Sequence, residues 1–70
     1  MRINFIEDYI VVNNNNHETF KITKEHIYGT LIDNYFVYDI TDANIEYFMR
    51  EYTTLEDALK DCEKGYIKVF

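Results

Sequence analysis

Between Tyr9 and Arg50 the chain runs in short stretches rich in Tyr, Phe, Val, Ile and Thr, in which apolar and polar residues alternate with the two-residue period of a half-buried strand. Turn-forming residues break the alternation at Asn13 to Asn16, at Asp33-Asn34 and at Thr41 to Asn44, with a weaker break at Lys24-Glu25. Two-residue turns at Lys24-Glu25, Asp33-Asn34 and Asp42-Ala43 fix a pairing register, because a slip of one residue would turn every side chain to the other face. In that register one face collects Phe20, Ile22, Ile27, Leu31, Phe36, Tyr38, Tyr47 and Met49, joined by Ile10 and Val12. The opposite face collects Lys21, His26, Tyr28, Tyr35, Val37, Asp39, Glu46, Phe48 and Arg50. The pattern predicts an antiparallel meander of about five strands over residues 9 to 50, with one core face and one mixed face.

After Tyr52 the period changes. Thr53-Thr54-Leu55-Glu56 reads as a capping box, in which the Thr53 hydroxyl and the Glu56 carboxylate each accept from the other's backbone amide. Leu55, Ala58, Leu59 and Cys62 fall on one stripe and Gly65 supplies a left-handed stop, so a helix is expected over residues 54 to 64. Tyr66 to Phe70 reads as a short final strand, which a helical crossover would lay parallel to the strand it left, beside the first or the fifth. The fold class expected is α+β: one small domain over residues 1 to 70, with the meander packed on a C-terminal helix.

Length sharpens this picture. A chain of 70 residues buries only about 60% of its unfolded surface, so one core is the limit and stability is modest. A single cysteine, Cys62, excludes an internal disulfide and leaves a partner subunit as a further source of stability. Met1 to Asp8 holds no apolar run long enough for a signal peptide, and no later stretch approaches a membrane span, so a cytoplasmic protein without a membrane partner is expected.

The net charge of −6 is unevenly spread. Residues 31 to 63 carry nine carboxylates against Arg50 and Lys60, a net of −7, while residues 1 to 30 stand at −1 and residues 64 to 70 at +2. Such an acidic block repels phosphate backbones, which argues against direct nucleic-acid binding, and it attracts basic protein surfaces. It also serves solubility with no further role.

No Gly-rich phosphate loop, Cys-x-x-Cys, His-Glu-x-x-His or Ser-centred elbow is present, so neither a cofactor nor enzymatic activity is expected. His17 and His26, beside Glu18 and Glu25, lack a third strong ligand at suitable spacing, and no metal site is expected. Cys62 faces the core on its helical stripe without a basic neighbour to activate it. The register instead draws attention to Asp39 and Glu46, placed opposite one another on the mixed face, where like charges destabilise a sheet unless Lys21, Arg50 or a partner's cation neutralises them. Tyr28, Tyr35, Val37 and Phe48 surround that pair, and aromatic clusters rimmed by charge mark contact surfaces.

The function expected is therefore a non-enzymatic acidic module that occupies a basic surface of another protein, itself a nucleic-acid binder, and inhibits it. Carboxylates two apart on a strand or four apart on a helix stand roughly 6 to 7 Å apart, near the phosphate spacing that a DNA mimic reproduces. Small phage-encoded inhibitors of restriction, CRISPR or host replication machinery work in this way. The short, acidic, tyrosine-rich composition with its asparagine run is similar to that of many small phage or mobile-element proteins of AT-rich bacteria, a likeness of composition that covers no motif and from which no residue roles follow. Partner-binding residues on this reading are Asp39, Glu46, Tyr28, Tyr35 and Phe48, with Asp42, Glu56, Asp57 and Asp61 extending the acidic surface; Asp57 and Asp61 lie on the helix away from the aromatic patch. The alternative is a self-associating structural or regulatory module, a homodimer joined through the aromatic sheet face.

Overall fold

The computed structural model describes residues 1–65. Five strands, β1 (Arg2–Phe5), β2 (Tyr9–Asn13), β3 (Thr19–His26), β4 (Asp33–Asp39) and β5 (Tyr47–Tyr52), form one open antiparallel sheet in chain order. The helix α1 (Leu55–Lys64) follows and packs on β2, β4 and β5. This is the α+β meander that the alternation predicts; the final strand expected at Tyr66 to Phe70 lies outside the described residues.

The strands are not all where the alternation puts them. Arg2 to Phe5 pairs antiparallel with β2, and the two-residue Glu7-Asp8 turn between them is closed by bonds exchanged between Ile6 and Tyr9. Residues 26 to 32, expected as a strand, are instead the end of β3 and a six-residue loop. Gly29 takes φ +82°, Ile27 N–H donates to the Ile32 carbonyl at 2.8 Å, and the Thr30 hydroxyl donates back to the Ile27 carbonyl at 2.8 Å. Ile27, Tyr28, Thr30 and Ile32 favour strands by type, but the left-handed glycine and the local hydroxyl bonds turn the chain over.

That loop shifts β4 by one residue against β3. Ile22 faces Val37 and Phe20 faces Asp39, so Val37 is buried under the helix while Phe36 and Tyr38 point to the opposite, open face. The predicted assignment of Phe36 and Tyr38 to the core, and of Tyr35 and Val37 to the mixed face, is thereby reversed. A bulge partly undoes the reversal in β5. Val37 pairs with Arg50 and Tyr38 with Phe48, which leaves Met49 as the extra residue, packed on the core, and returns Phe48 to the open face.

The buried core is Val12, Phe20, Ile22, Val37, Tyr52, Ala58 and Cys62, with Ile3, Ile10, Tyr35, Met49, Leu55 and Leu59 packed around it. The helix begins one residue later than the capping box implies: Thr54, not Thr53, is the N-cap, its hydroxyl accepting from Asp57 N–H at 3.2 Å. Gly65 closes it at φ +75°, donating to the carbonyls of Asp61 and Cys62.

What locks the helix down is the asparagine run, which forms the β2–β3 hairpin tip as expected. Asn14 is only 7% exposed. Its Oδ1 accepts from the backbone amides of Asn16 and Glu18 at 3.0 Å each, and its Nδ2 donates to Glu18 Oε1 at 3.1 Å and to the Cys62 carbonyl at 2.9 Å. Asn16 adds a bond from its Nδ2 to the Lys64 carbonyl. Two carboxamides thus serve the last carbonyls of the helix, which have no intrahelical donors. Gly65 is required here on a second count, since a Cβ would run into the Glu18 carboxylate and the Asn14 and Asn16 amides.

Replacing Asn14 with Ala removes four hydrogen bonds and strands buried backbone groups. The expected loss is about 2 to 4 kcal/mol by urea unfolding, against almost nothing for Asn15→Ala at the exposed neighbour. A loss below about 1 kcal/mol for Asn14→Ala would show that the hairpin and helix are held together by apolar packing alone.

Candidate interaction surface

Antiparallel connection gives the sheet two distinct ends. One holds the Glu7-Asp8 turn, the Ile27 to Ile32 loop and the start of α1; the other holds the asparagine hairpin, the β4–β5 loop and the end of α1.

At the first end large apolar side chains stand in water. Tyr28 is 99% and Leu31 98% exposed, with Ile32, Ile27, Phe5 and Ile6 also exposed nearby in the connectivity. The loop that carries Tyr28 and Leu31 is held by its own backbone and by Thr30, and it is clamped at its base where His26 faces Asp33. The Asp33 carboxylate meets His26 Nδ1 at 2.9 Å and lies 3.9 Å from Lys24 Nζ. Glu7, Asp8 and Glu25 lie at the same end of the sheet.

The open face of the sheet is a second surface. Phe48 meets Phe36 and Tyr38 with ring centroids 6.0 and 5.6 Å apart, in tilted and edge-on arrangements. Lys21 lies beside them, its Nζ above the rings of Tyr9 and Tyr38 and bound to both Glu46 oxygens at 2.8 and 2.9 Å.

The expected site residues separate on this frame. Asp39 and Glu46 are not opposed: Asp39 pairs with Tyr47 and accepts from Thr41 N–H, while Glu46 engages Lys21 on the open face. Residues 40 to 46 join β4 to β5 in place of the two-residue Asp42-Ala43 turn expected, so Asp39 faces Tyr47 and the like-charge strain never arises. Tyr28 stands at the loop tip and Phe48 on the open face, whereas Tyr35 is partly buried against the core. Asp42 folds back to accept from Asn44 N–H in the β4–β5 loop. Glu56 sits 3.5 Å from Lys60, and both Glu56 and Asp57 occupy the first helical turn, where negative charge is favoured. Asp61 is no bare surface acid, since it accepts the Tyr52 hydroxyl at 2.7 Å. Arg50, Lys60 and Lys64 line one hollow with Asp57 and Asp61, which balances the charge there.

Sequence reasoning passed over the Glu7-Asp8 turn and the exposure of Leu31. The polar pair after Ile3-Asn4-Phe5-Ile6 was the available signal for the first, and Gly29 inside an apparent strand for the second. Among the described residues no group of three His, Cys, Asp or Glu side chains could hold a metal ion, and no helix is long and apolar enough to cross a membrane. Comparison with protein-family models, with curated proteins and with solved structures returns no match.

Two groups at the core have perturbed acidity. Burial, then the Asp61 charge, pushes the Cys62 thiol from an ordinary 9.0 up to about 12. Burial, then the bond to Asp61, raises the Tyr52 phenol as well. Both groups stay protonated in the folded chain above the pH at which they ionise in the unfolded one. Their contribution to stability is therefore intact below about pH 9 and falls as pH rises from 9 towards 12. Thiol labelling of the native protein at pH 8 should proceed only as fast as unfolding exposes Cys62, and urea midpoints should decline above pH 9. Rapid stoichiometric labelling without denaturant would contradict the buried placement of Cys62.

Proposed function

We propose that this chain is a non-catalytic binding module that docks on a basic surface of another protein and occupies it. The observation that carries the reading is the Ile27 to Ile32 loop, which holds Tyr28 and Leu31 almost fully in water on a hydrogen-bonded frame, at the end of the sheet that also carries Glu7, Asp8, Glu25 and Asp33. An exposed tyrosine on a preorganised loop contributes area to a partner at low conformational cost, and tyrosine is enriched among residues that dominate interface energy. The surrounding carboxylates steer a basic partner into contact and fix its orientation.

A protein with such a basic patch is commonly one that holds phosphate backbones, and a bound acidic module would exclude nucleic acid from it. This supports inhibition of a nucleic-acid-binding protein as the biological outcome. Direct nucleic-acid binding by the chain itself is disfavoured by its net charge of −6.

The open face favours a second reading, self-association. Phe36, Tyr38 and Phe48 form an aromatic cluster beside the Lys21 and Glu46 ion pair, whose charges cancel, so copies of an acidic chain meet less repulsion there than at unpaired carboxylates.

Affinity capture from a cell extract, followed by quantitative binding, tests the first reading. Tyr28→Ser with Leu31→Ser should weaken the captured complex by about tenfold or more without lowering thermal stability, because neither side chain is buried. Equal binding by wild type and this double variant would remove the loop from the interface. Light scattering that finds a dimer, dissociated by Phe48→Ser, would favour the second reading instead.

A further inference from the structure

We infer that the cleft beside the Glu7-Asp8 turn is a receptor site for a single arginine side chain of the docked partner. This deepens the docking reading and rests on it for the identity of the arginine's owner.

The cleft has a volume of about 400 Å³, and Ile6, Glu7, Asp8, Tyr9, Ile10, Ile22, Lys24, Tyr35 and Leu55 line it. That is within the range of small-ligand pockets, roughly 300 to 1,000 Å³, and ample for one long side chain. It exists because α1 begins only at Leu55, on the far side of β4 and β5 in chain order, so the apolar surface of β2 and β3 at this end meets only part of the helix. Ile10, Ile22, Tyr35 and Leu55 supply its apolar lining.

Its rim is charged and available. Neither Glu7 nor Asp8 makes an ion pair or side-chain hydrogen bond among the described residues, and both sit in a tight turn held by the Ile6 and Tyr9 backbone. Lys24, on another wall, leans towards the Asp33 carboxylate at 3.9 Å. The helix start at Leu55 presents a positive dipole end, which Glu56 and Asp57 in the first turn offset.

Arginine answers this combination. Its methylene stem packs on aliphatic surface, its planar guanidinium stacks on an aromatic ring, and its paired N–H groups grip a carboxylate. Ile10, Ile22 and Leu55, then Tyr35, then Glu7 and Asp8 provide these three features in one cleft. An anion would be repelled by Glu7 and Asp8, whose two charges outnumber the one of Lys24, and a neutral apolar group would engage neither carboxylate. The placement is also continuous with the docking loop, since Lys24 in the cleft wall shares Asp33 with His26 at the base of that loop. The same end of the sheet would then both insert Tyr28 and Leu31 into a partner and receive an arginine from it.

The test is a titration of the isotope-labelled chain with N-acetyl-arginine methylamide, followed by amide chemical shifts. The corresponding norleucine and lysine derivatives serve as comparisons. Saturable shifts confined to residues 6 to 10, Ile22, Lys24, Tyr35 and Leu55 are expected, with the norleucine derivative weaker by about fivefold or more and the lysine derivative in between. Glu7→Gln with Asp8→Asn, both in an exposed turn, should weaken arginine binding by about fivefold while leaving the spectrum otherwise folded. Absence of a saturable shift in the cleft, equal response to norleucine, or shifts centred on the Asp57 and Asp61 hollow would each overturn the inference. A chain that captures a basic partner through Tyr28 and Leu31 yet binds no arginine derivative loses the cleft inference alone. Specific arginine binding with no partner captured upholds the chemistry of the cleft and removes the docking reading.

Discussion

The carboxamide of Asn14 is the joint on which this small fold depends. A helix packed on an open sheet must bring its last carbonyls to rest near other backbone, and carbonyls without donors there are costly. Asn14 answers two demands with one side chain, its oxygen closing the hairpin tip and its nitrogen reaching the Cys62 carbonyl of α1. The partial negative charge at a helix C-terminus favours the donor amides that Asn14 and Asn16 place there. Once that end is pinned, a helix of ten residues reaches about 15 Å across the sheet and stops at Leu55. The position of the cleft follows from that length: apolar side chains of β2 and β3 beyond the start of the helix are left to line a hollow.

A single helix also forces the two faces of the sheet into different chemistry. The covered face takes Val12, Phe20, Ile22 and Val37 and is dry. The open face must carry aromatic residues that water can reach, and it does so by pairing them with one another and with Lys21. The Lys21 ammonium serves three neighbours at once, the rings of Tyr9 and Tyr38 and the Glu46 carboxylate. Much of this is solvent-facing and contributes little to stability, since exposed ion pairs are worth about 0 to 1 kcal/mol. Its value is to place charged groups that water solvates beside an aromatic surface.

The parts of this structure legible in the sequence are those whose signals are local. The hairpin tip at Asn13 to Asn16, the apolar stripe of α1 and the Gly65 stop each depend on a few adjacent residues, and each stands as expected. What sequence could not settle was register, which depends on loop length. β-Propensity favours a strand over residues 26 to 32, and propensity there loses to the Gly29 turn and the Thr30 hydroxyl. From that misplacement follows the exchange of Phe36 and Tyr38 for Val37; the false opposition of Asp39 and Glu46 comes from the β4–β5 connection, residues 40 to 46, which is longer than the two-residue turn expected at Asp42-Ala43. Phe48 was assigned to the correct face only because the Met49 bulge cancels the slip. The edge strand β1 was missed because four residues with two polar members give too short an alternation to register. For the candidate site, Tyr28 was named with the wrong neighbours: an aromatic placed on a flat sheet turns out to crown a loop.

That error carries a physical lesson about where such a chain can keep exposed apolar residues. With seven buried core residues among the described ones, stability is thin, and an exposed leucine or tyrosine in a mobile segment would invite aggregation. The Ile27 to Ile32 loop is braced by its own backbone bonds, and the net charge of −6 makes copies of the chain repel one another. It touches neither the core nor the Asn14 joint at the opposite end of the sheet. On the docking reading proposed above, folding and recognition fall at opposite ends, so Tyr28 and Leu31 could be fitted to a partner without disturbing what holds the helix down. A protein this small could not place both tasks in one cluster, because each side chain chosen for a partner would be one fewer chosen for the core.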